Sequence, residues 1–398
     1  MSKLFIDDIN CNGKTVIVRV DFNVPLKDGA VENDKRIRAA LPTITHLLDQ
    51  GAKVVLMSHL GRPKGQRVEA MTLKPVADRL SELLGKSVAF ANDCVGEVAK
   101  KAVRELAEGE VLLLENLRFH KAETENDESF AKELAELADL YVNDAFGTAH
   151  RAHASTEGIT HHMKVCACGY LLKKELDFLG EALANPKRPF TAIIGGAKIS
   201  GKIDVIKALL PKVDSLIIGG GMACTFLKAM GREIGDSLCE DEKLPLAKQL
   251  LELGEGKIIL PADYLVTDSL DFDGRTIGSE AIVAEDAITT GLMAVDIGPV
   301  SMENFRKIIA ESGTVVWNGP MGVFEIDASA KGTFAVAKAL AEATTKGSIT
   351  IIGGGDSAAA IEKAGLADEV SHVSTGGGAS LEFLEGKKLP GVEALSEG

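Results

Sequence analysis

The chain has 398 residues, of which 45% are hydrophobic, and this length exceeds what one core usually serves, so two domains are predicted. The formal net charge of −14 argues against a nucleic-acid or anionic-membrane partner, although a local basic pocket remains compatible with it. The six scattered cysteines form no C-x-x-C pair, and the start MSKLFIDDIN has no targeting character, so we expect reduced thiols and a cytoplasmic protein.

In the first half, apolar runs that end in polar clusters alternate with helical patterns, as is typical of a parallel α/β sheet. The runs are Thr15–Val20, Lys53–Met57, Val111–Leu114 and Leu140–Val142. The clusters that follow them include Asp21 and Asn23; His59, Gly61 and Arg62; Asn116 and Arg118; and Asn143, Asp144 and Arg151. Ligands of open parallel sheets bind beyond the carboxyl ends of the strands, so these side chains are expected to meet in one crevice.

This crevice is expected to be basic. Arg36, Arg62, Arg118 and Arg151 would lie there with His59, and guanidinium groups match phosphate and carboxylate oxygens. The alternative for any single arginine is an ordinary surface charge. Their recurrence at successive strand ends favours a small anionic ligand.

A helix is predicted at residues 170–185, where leucines and a phenylalanine recur at helical spacing before Pro186. We interpret it as the connection between two domains; the alternative is a core helix inside one larger domain.

Beyond this helix the sequence is rich in glycine, with triplets at 219–221, 353–355 and 376–378, each before a helical pattern. The pattern at Ile349–Gly365 therefore predicts a strand, a tight turn and a helix, an arrangement that can hold phosphate. Asp356 would repel phosphate unless a divalent cation lay between them. If this turn binds a ligand, we therefore expect a nucleotide site in which a metal ion bridges Asp356 and the phosphates. The alternative is a plain tight turn.

Two familiar nucleotide motifs fail here. Gly196–Lys202 matches G-x-x-x-x-G-K, but Ile203 stands where a P-loop needs a hydroxyl group. The loose dinucleotide fingerprint at Gly353 lacks an acidic residue after the next predicted strand, Val370–Val373. A different phosphate site remains, with Lys198 and Lys202 as positive charges and Glu325 as a partner for ribose hydroxyl groups.

Seven segments together resemble the phosphoglycerate kinase family, and they span the chain from end to end. They are RVDFNVP (19–25), MSHLGRP (57–63), LLLENLRFH (112–120), GGAKISGKI (195–203), WNGPMGVFE (317–325), GGGDS (353–357) and STGGGASLE (374–382). Ser357 departs mildly from the family, many of whose members have threonine there.

The resemblance implies an α/β fold of two doubly wound parallel-sheet (Rossmann-like) domains, with a cleft between them that closes by hinge motion. Residues 1–169 with about 390–398 would form the phosphoglycerate-binding domain, and residues 186–389 the nucleotide-binding domain. The implied reaction is reversible, Mg²⁺-dependent, in-line phosphoryl transfer in glycolysis, from 1,3-bisphosphoglycerate to ADP, by a cytoplasmic monomer. The alternatives are a kinase for another small acid and a nucleotide-binding protein without turnover.

The resemblance also assigns residues. The substrate positions are Asp21, Asn23, Arg36, His59, Leu60, Gly61, Arg62, Arg118 and Arg151. The nucleotide positions are Gly196, Lys198, Lys202, Gly220, Asn318, Glu325, Gly353, Gly354, Gly355, Asp356 and Ser357. Asp356 is the implied Mg²⁺ ligand, and Arg36, Lys198 and Gly377 are the implied catalytic positions.

Overall fold

The computed structural model describes residues 3–398, which form two compact units. The first comprises the chain up to Asp177 and returns with Lys388–Gly398, and the second comprises Phe178–Lys387. The predicted domain limits remain a prediction; by contacts, the chain divides inside the helix Tyr170–Ala184.

The first unit is built on a six-stranded parallel sheet. Its strands are β1 (Thr15–Val20), β4 (Lys53–Met57), β5 (Val88–Ala91), β6 (Val111–Leu114), β7 (Leu140–Asp144) and β8 (Cys166–Cys168), with a short ribbon of β2 (Leu26–Lys27) and β3 (Ala30–Val31). The order is β5-β6-β4-β1-β7-β8, so the direction of winding reverses beside β1.

Helices pack against this sheet, whose strands are largely buried. They are α1 (Lys35–Asp49), α2 (Lys74–Leu84), α3 (Gly96–Glu105), α4 (Lys121–Thr124), α5 (Glu128–Ala135) and α6 (Tyr170–Ala184). Short 3₁₀ helices at Leu117–Phe119 and Phe146–Thr148 follow β6 and β7 at the carboxyl edge, and a third, Gly158–His162, precedes β8 and contacts α5. The sheet strands consist largely of buried apolar residues, which explains their continuous apolar runs.

The C-terminal segment packs on the first unit. Asn143 Nδ2 donates to Gly391 O at 2.9 Å, Ser396 N donates to Cys166 O at 2.9 Å, and Leu4 N donates to Ser396 O at 2.9 Å. The short helix Pro390–Glu393 lies in this segment. The last residues of the chain therefore complete the edge of the first sheet near β7 and β8.

The second unit contains another six-stranded parallel sheet, ordered β11-β10-β9-β17-β18-β19. Its strands are β9 (Phe190–Ile194), β10 (Ser215–Ile218), β11 (Ile258–Ile259), β17 (Thr314–Asn318), β18 (Ile349–Gly353) and β19 (His372–Val373). Antiparallel strands β12 (Asp263–Thr267), β15 (Ala281–Ala284) and β16 (Met293–Ile297) form a second sheet, and β13 (Leu270–Asp271) pairs with β14 (Thr276–Ile277). The helices are α7 (Ile203–Leu209), α8 (Met222–Ala229), α9 (Leu244–Leu253), α10 (Pro299–Glu311), α11 (Lys331–Thr345), α12 (Gly355–Lys363) and α13 (Gly378–Leu384).

The predicted α/β class with two doubly wound parallel sheets is confirmed. Within residues 3–398, no helix has the length and apolar character needed to cross a membrane.

We predict that Val54→Ala in the centre of β4 destabilises the protein by about 2 kcal/mol, because it removes two buried methyl groups and leaves a cavity. Val54 is fully buried, whereas Val98 on α3 is 51% exposed. Urea unfolding measures the free energy, and Val98→Ala is the matched control, expected within about 0.5 kcal/mol of the parent. Equal costs for the two variants would contradict the described core.

Candidate functional site

The first group of predicted site residues gathers at the carboxyl edge of the first sheet, and we call it the basic site. The loop after β1 carries Asp21 and Asn23, and Arg36 lies in the first turn of α1. Arg36 Nη1 donates to Asp21 Oδ2 at 2.9 Å and to Asn23 O at 3.2 Å. The loop therefore fixes the arginine while part of its side chain remains exposed.

The loop after β4 joins the loop after β1. Gly61 N donates to Asn23 Oδ1 at 2.9 Å. His59 is buried, and its Nδ1 lies 4.0 Å from Asp21 Oδ1. Leu60 is buried and presents its backbone to the next loop.

Asn116, two residues after β6, joins the third loop to this group. Its Oδ1 accepts from Leu60 N at 3.1 Å and from Arg118 N at 3.1 Å, while its Nδ2 donates to Leu60 O at 2.8 Å. Arg118 Nη1 donates to Gly61 O at 2.9 Å. The sequence marked Asn116 only as part of the polar cluster after the apolar run, and its position two residues beyond that run was the available signal.

Burial and mutual repulsion set the charges of the basic site. Burial, with Arg19 and Arg151 nearby, lowers the pKa of Arg118 to about 10, so this guanidinium is still charged at neutral pH. Burial and nearby arginines lower the pKa of His59 well below its usual value and that of His153 to about 4. Both histidines are therefore neutral beside fixed cations, and an anion is the complementary ligand.

Arg62 and Arg151 are exposed at this edge. Arg151 Nε contacts His150 Nε2 at 3.2 Å, and Arg62 makes no hydrogen bond or ion pair among residues 3–398. Arg118 Nε is buried and lacks a protein partner within the same residues. Donors on three arginines are thus available to a bound anion.

In the second unit, three loops at the carboxyl edge pack backbone against backbone, and we call this the glycine site. A Cβ on Gly195 would lie 2.1 Å from Pro320 O, one on Gly319 would lie 2.2 Å from Gly195 O, and one on Gly220 would lie 2.5 Å from Gly196 O. Gly195 N donates to Asn318 O at 2.9 Å. Glycine is required here for loop packing, in addition to any ligand.

The Gly353–Gly355 turn leads into α12. Gly354 has φ of +88° just before the helix, and Asp356 is exposed in the first helical turn. Ser357 is buried, and its Oγ accepts from Gly319 N at 2.5 Å. The hydroxyl group therefore joins the turn to the loop after β17.

The predicted lysines differ in environment. Lys202 Nζ donates to Asn318 Oδ1, and burial lowers the pKa of Lys202. Lys198 is exposed. Gly377 has φ of +51° and immediately precedes α13.

A groove of about 350 Å³ opens beside the glycine site. Of the predicted nucleotide residues, Gly196, Gly220, Glu325 and Asp356 line it, whereas the other seven do not. Its apolar wall was missed by the sequence analysis and comprises Leu238, Tyr264, Leu270, Phe272, Met293 and Pro320. A groove lined by apolar side chains, carboxylates and glycine backbone suits a flat heterocycle that carries hydroxyl and anionic groups.

Asp356 fits the implied Mg²⁺. Its carboxylate is exposed at the groove, and it makes no hydrogen bond among the described residues, so its oxygens are available as the hard ligands that Mg²⁺ prefers. A separate group, Asp93, Cys94 and His120, brings potential ligand atoms within 4.8 Å of one another. There Asp93 Oδ1 already pairs with His120 Nε2 at 2.7 Å, and burial raises the pKa of the Cys94 thiol well above its usual value.

We predict that Gly319→Ala destabilises the second unit by at least about 2 kcal/mol, because a Cβ at φ of +100° would overlap the backbone of Gly195. The matched control is Gly201→Ala, since a Cβ there meets nothing within 4 Å and φ is not positive. Thermal unfolding followed by the fluorescence of Trp317 measures the difference. A stable Gly319→Ala variant would contradict the close loop packing.

Comparison with known proteins identifies relatives along the whole chain. The family model described as phosphoglycerate kinase matches residues 6–387. Phosphoglycerate kinase of Chloroherpeton thalassium is 59% identical over 100% of both chains, and that of a Picosynechococcus species is 57% identical over 98% of both. Among solved structures, phosphoglycerate kinase from Coxiella burnetii has a TM-score of 0.89 at 44% identity, and that from Pyrococcus horikoshii OT3 has 0.85 at 34%; each match covers 98% of both chains.

Proposed function

Because the chain belongs to the phosphoglycerate kinase family, we propose how its residues divide that family's reaction between the two units. The chain is a kinase of glycolysis that transfers a phosphoryl group between 1,3-bisphosphoglycerate and ADP, giving 3-phosphoglycerate and ATP. Both products and both substrates are anions, in agreement with a basic site in an acidic chain.

The basic site is the proposed phosphoglycerate site. The observation that carries this assignment is the gathering of Arg36 and Arg118 beside neutral His59 at one sheet edge, with exposed Arg62 and Arg151 at the same edge. The guanidinium groups would hold the 3-phosphate and the carboxyl end, while Asp21, Asn23, Leu60 and Gly61 shape the loops.

The glycine site and its groove are the proposed site for ADP and ATP. The apolar wall would hold the base, Glu325 the ribose hydroxyl groups, and the glycine backbones with Lys202 the phosphates. Asn318 orients Lys202 through their hydrogen bond, and Ser357 supports the loop after β17. Asp356 would hold Mg²⁺, which when bound neutralises charge on the nucleotide phosphates.

Transfer is proposed to be direct and in line, with no covalent enzyme intermediate. Phosphoryl transfer depends chiefly on positioning the reactants and on neutralising the charge on the oxygens of the transferring phosphoryl group. We assign contact with this phosphoryl group to Arg36, Lys198 and Gly377. Because the proposed sites belong to different units, the reaction requires domain closure, which would also exclude water from the acyl phosphate. We also propose that the protein acts as a monomer in the cytoplasm.

A coupled assay with 3-phosphoglycerate and Mg-ATP tests the activity directly. We expect turnover that requires both substrates and falls when Mg²⁺ is chelated. A chain that binds nucleotide but does not turn over phosphoglycerate would overturn the proposal.

We predict that Arg36→Ala lowers kcat at least about 100-fold while the Kd for Mg-ADP changes less than about twofold, because Arg36 acts on the transferring group. Arg38→Ala is the matched control, since Arg38 lies on the same helix, is exposed and pairs with Asp34. Steady-state kinetics and calorimetric titration provide the two readouts. Near-parent kcat for Arg36→Ala would remove it from the mechanism.

We predict that Asp356→Asn weakens binding of Mg-ADP about tenfold, because an amide is a poorer ligand for Mg²⁺ than a carboxylate. Titration with ADP in the presence of a chelator is the internal control, and there the two proteins should bind alike. Affinity for 3-phosphoglycerate should not change. Equal weakening with and without Mg²⁺ would contradict the assigned role.

A further inference from the structure

Two residues behind the basic site, Glu123 and Ser155, form a hydrogen-bonded chain with Arg19. All three side chains are fully buried. Arg19 Nε donates to Ser155 Oγ at 2.8 Å, and Ser155 Oγ donates to Glu123 Oε1 at 2.7 Å. Ser155 N donates to the second oxygen, Glu123 Oε2, at 3.0 Å.

These hydrogen bonds connect the buried positive charge of Arg19 to the carboxylate of Glu123. A guanidinium has donors only, so the Ser155 hydroxyl must accept from Arg19 and direct its own hydrogen to Glu123. Glu123 thereby serves as the counter-charge of Arg19 through one hydroxyl group. Without it, the Arg19 charge would be buried without compensation, which is costly in a folded protein.

The other end of Arg19 meets His59. Arg19 Nη2 lies 3.2 Å from His59 Nδ1. Because arginine cannot accept a hydrogen bond, Nδ1 of His59 must be the acceptor, and the neutral ring then carries its hydrogen on Nε2. Burial and the charge of Arg19 also lower the pKa of His59, which agrees with a neutral ring.

We propose that Glu123 and Ser155 are positioning residues that act through Arg19 to hold His59 as the neutral Nε2–H tautomer. The basic site then presents a fixed neutral donor among its cations. Naming phosphoglycerate as the acceptor of this Nε2–H rests on the proposed function, whereas the tautomer of the free protein does not.

The tautomer is tested first on the unaltered full-length protein without ligand. Histidine labelled with ¹⁵N allows long-range ¹H–¹⁵N NMR to identify which ring nitrogen carries hydrogen, and His59→Gln assigns the signal. We expect His59 to show a hydrogen on Nε2 and none on Nδ1 between about pH 6 and pH 8. A hydrogen on Nδ1 in this range, in either the neutral ring or the imidazolium, would overturn the proposal.

The variant Ser155→Ala tests whether Ser155 positions His59 through Arg19. We expect both His59 tautomers to appear and the KM for 3-phosphoglycerate to rise about tenfold, while the KM for Mg-ATP changes less than about twofold. The matched control is Ser81→Ala on α2, since Ser81 Oγ likewise donates one hydrogen bond and accepts one, but to a backbone carbonyl, Ala77 O at 2.9 Å, and from a backbone amide, Val88 N at 3.0 Å. It should leave the tautomer and both KM values unchanged.

An unaltered His59 tautomer and KM in Ser155→Ala, or an equal rise in both KM values, would overturn the positioning role. If Ser155→Ala does not fold, the spectrum of the unaltered protein still decides the tautomer. Failure of the unaltered protein to turn over 3-phosphoglycerate would instead refute the proposed function and leave the tautomer result standing.

Discussion

Parallel strand pairing is the constraint on which both proposed sites depend. Each unit aligns six strands in one direction, so every strand ends at the same edge of its sheet. The chain must leave this edge through loops whose polar backbone groups no longer have ladder partners, and side chains such as Asn116 and Ser357 provide those partners. These hydrogen bonds connect neighbouring loops where ligands are expected to bind.

The loops at the carboxyl edges of the two sheets are connected in different ways. In the first unit, side-chain amides and guanidinium groups join the loops, as Asn23 does to Gly61 and Arg118 does to Gly61 O. In the second unit, glycines allow the loops after β9, β10 and β17 to touch through their backbones. The first arrangement leaves fixed positive charge at the edge, and the second leaves closely packed glycine backbone beside a groove.

Many of the strands, helices and turns could be predicted from the sequence, because the signals for them are local. The run Thr15–Val20 forms β1 over those residues, and the predicted helix at 170–185 forms as Tyr170–Ala184. The glycine triplet at 353–355 does lead from a strand into a helix. Buried parallel strands and glycine turns both leave patterns within a few neighbouring residues.

What the sequence did not predict depends on contacts between distant segments. The groove wall unites Leu238, Tyr264 and Met293, which become neighbours only through antiparallel pairing and the packing of α8. The predicted strand Val370–Val373 is shorter than expected, at His372–Val373. The glycines of the loops after β9, β10 and β17 have a packing requirement that the sequence did not reveal, because the backbone atoms they contact belong to distant segments.

The buried charges of the basic site illustrate how stability and function are separated in this fold. A buried ion pair contributes little net stability, because the cost of removing both charges from water offsets their attraction. Arg19 and Glu123 are fully buried and interact through Ser155, so we do not expect a large gain in stability from this network. Its consequence is geometric: Arg19 cannot accept a hydrogen bond, so it determines which nitrogen of His59 is free to donate. The proposed network thus restricts the tautomer of His59, a residue of the proposed phosphoglycerate site, and that restriction gives a physical reason for burying charge behind the site.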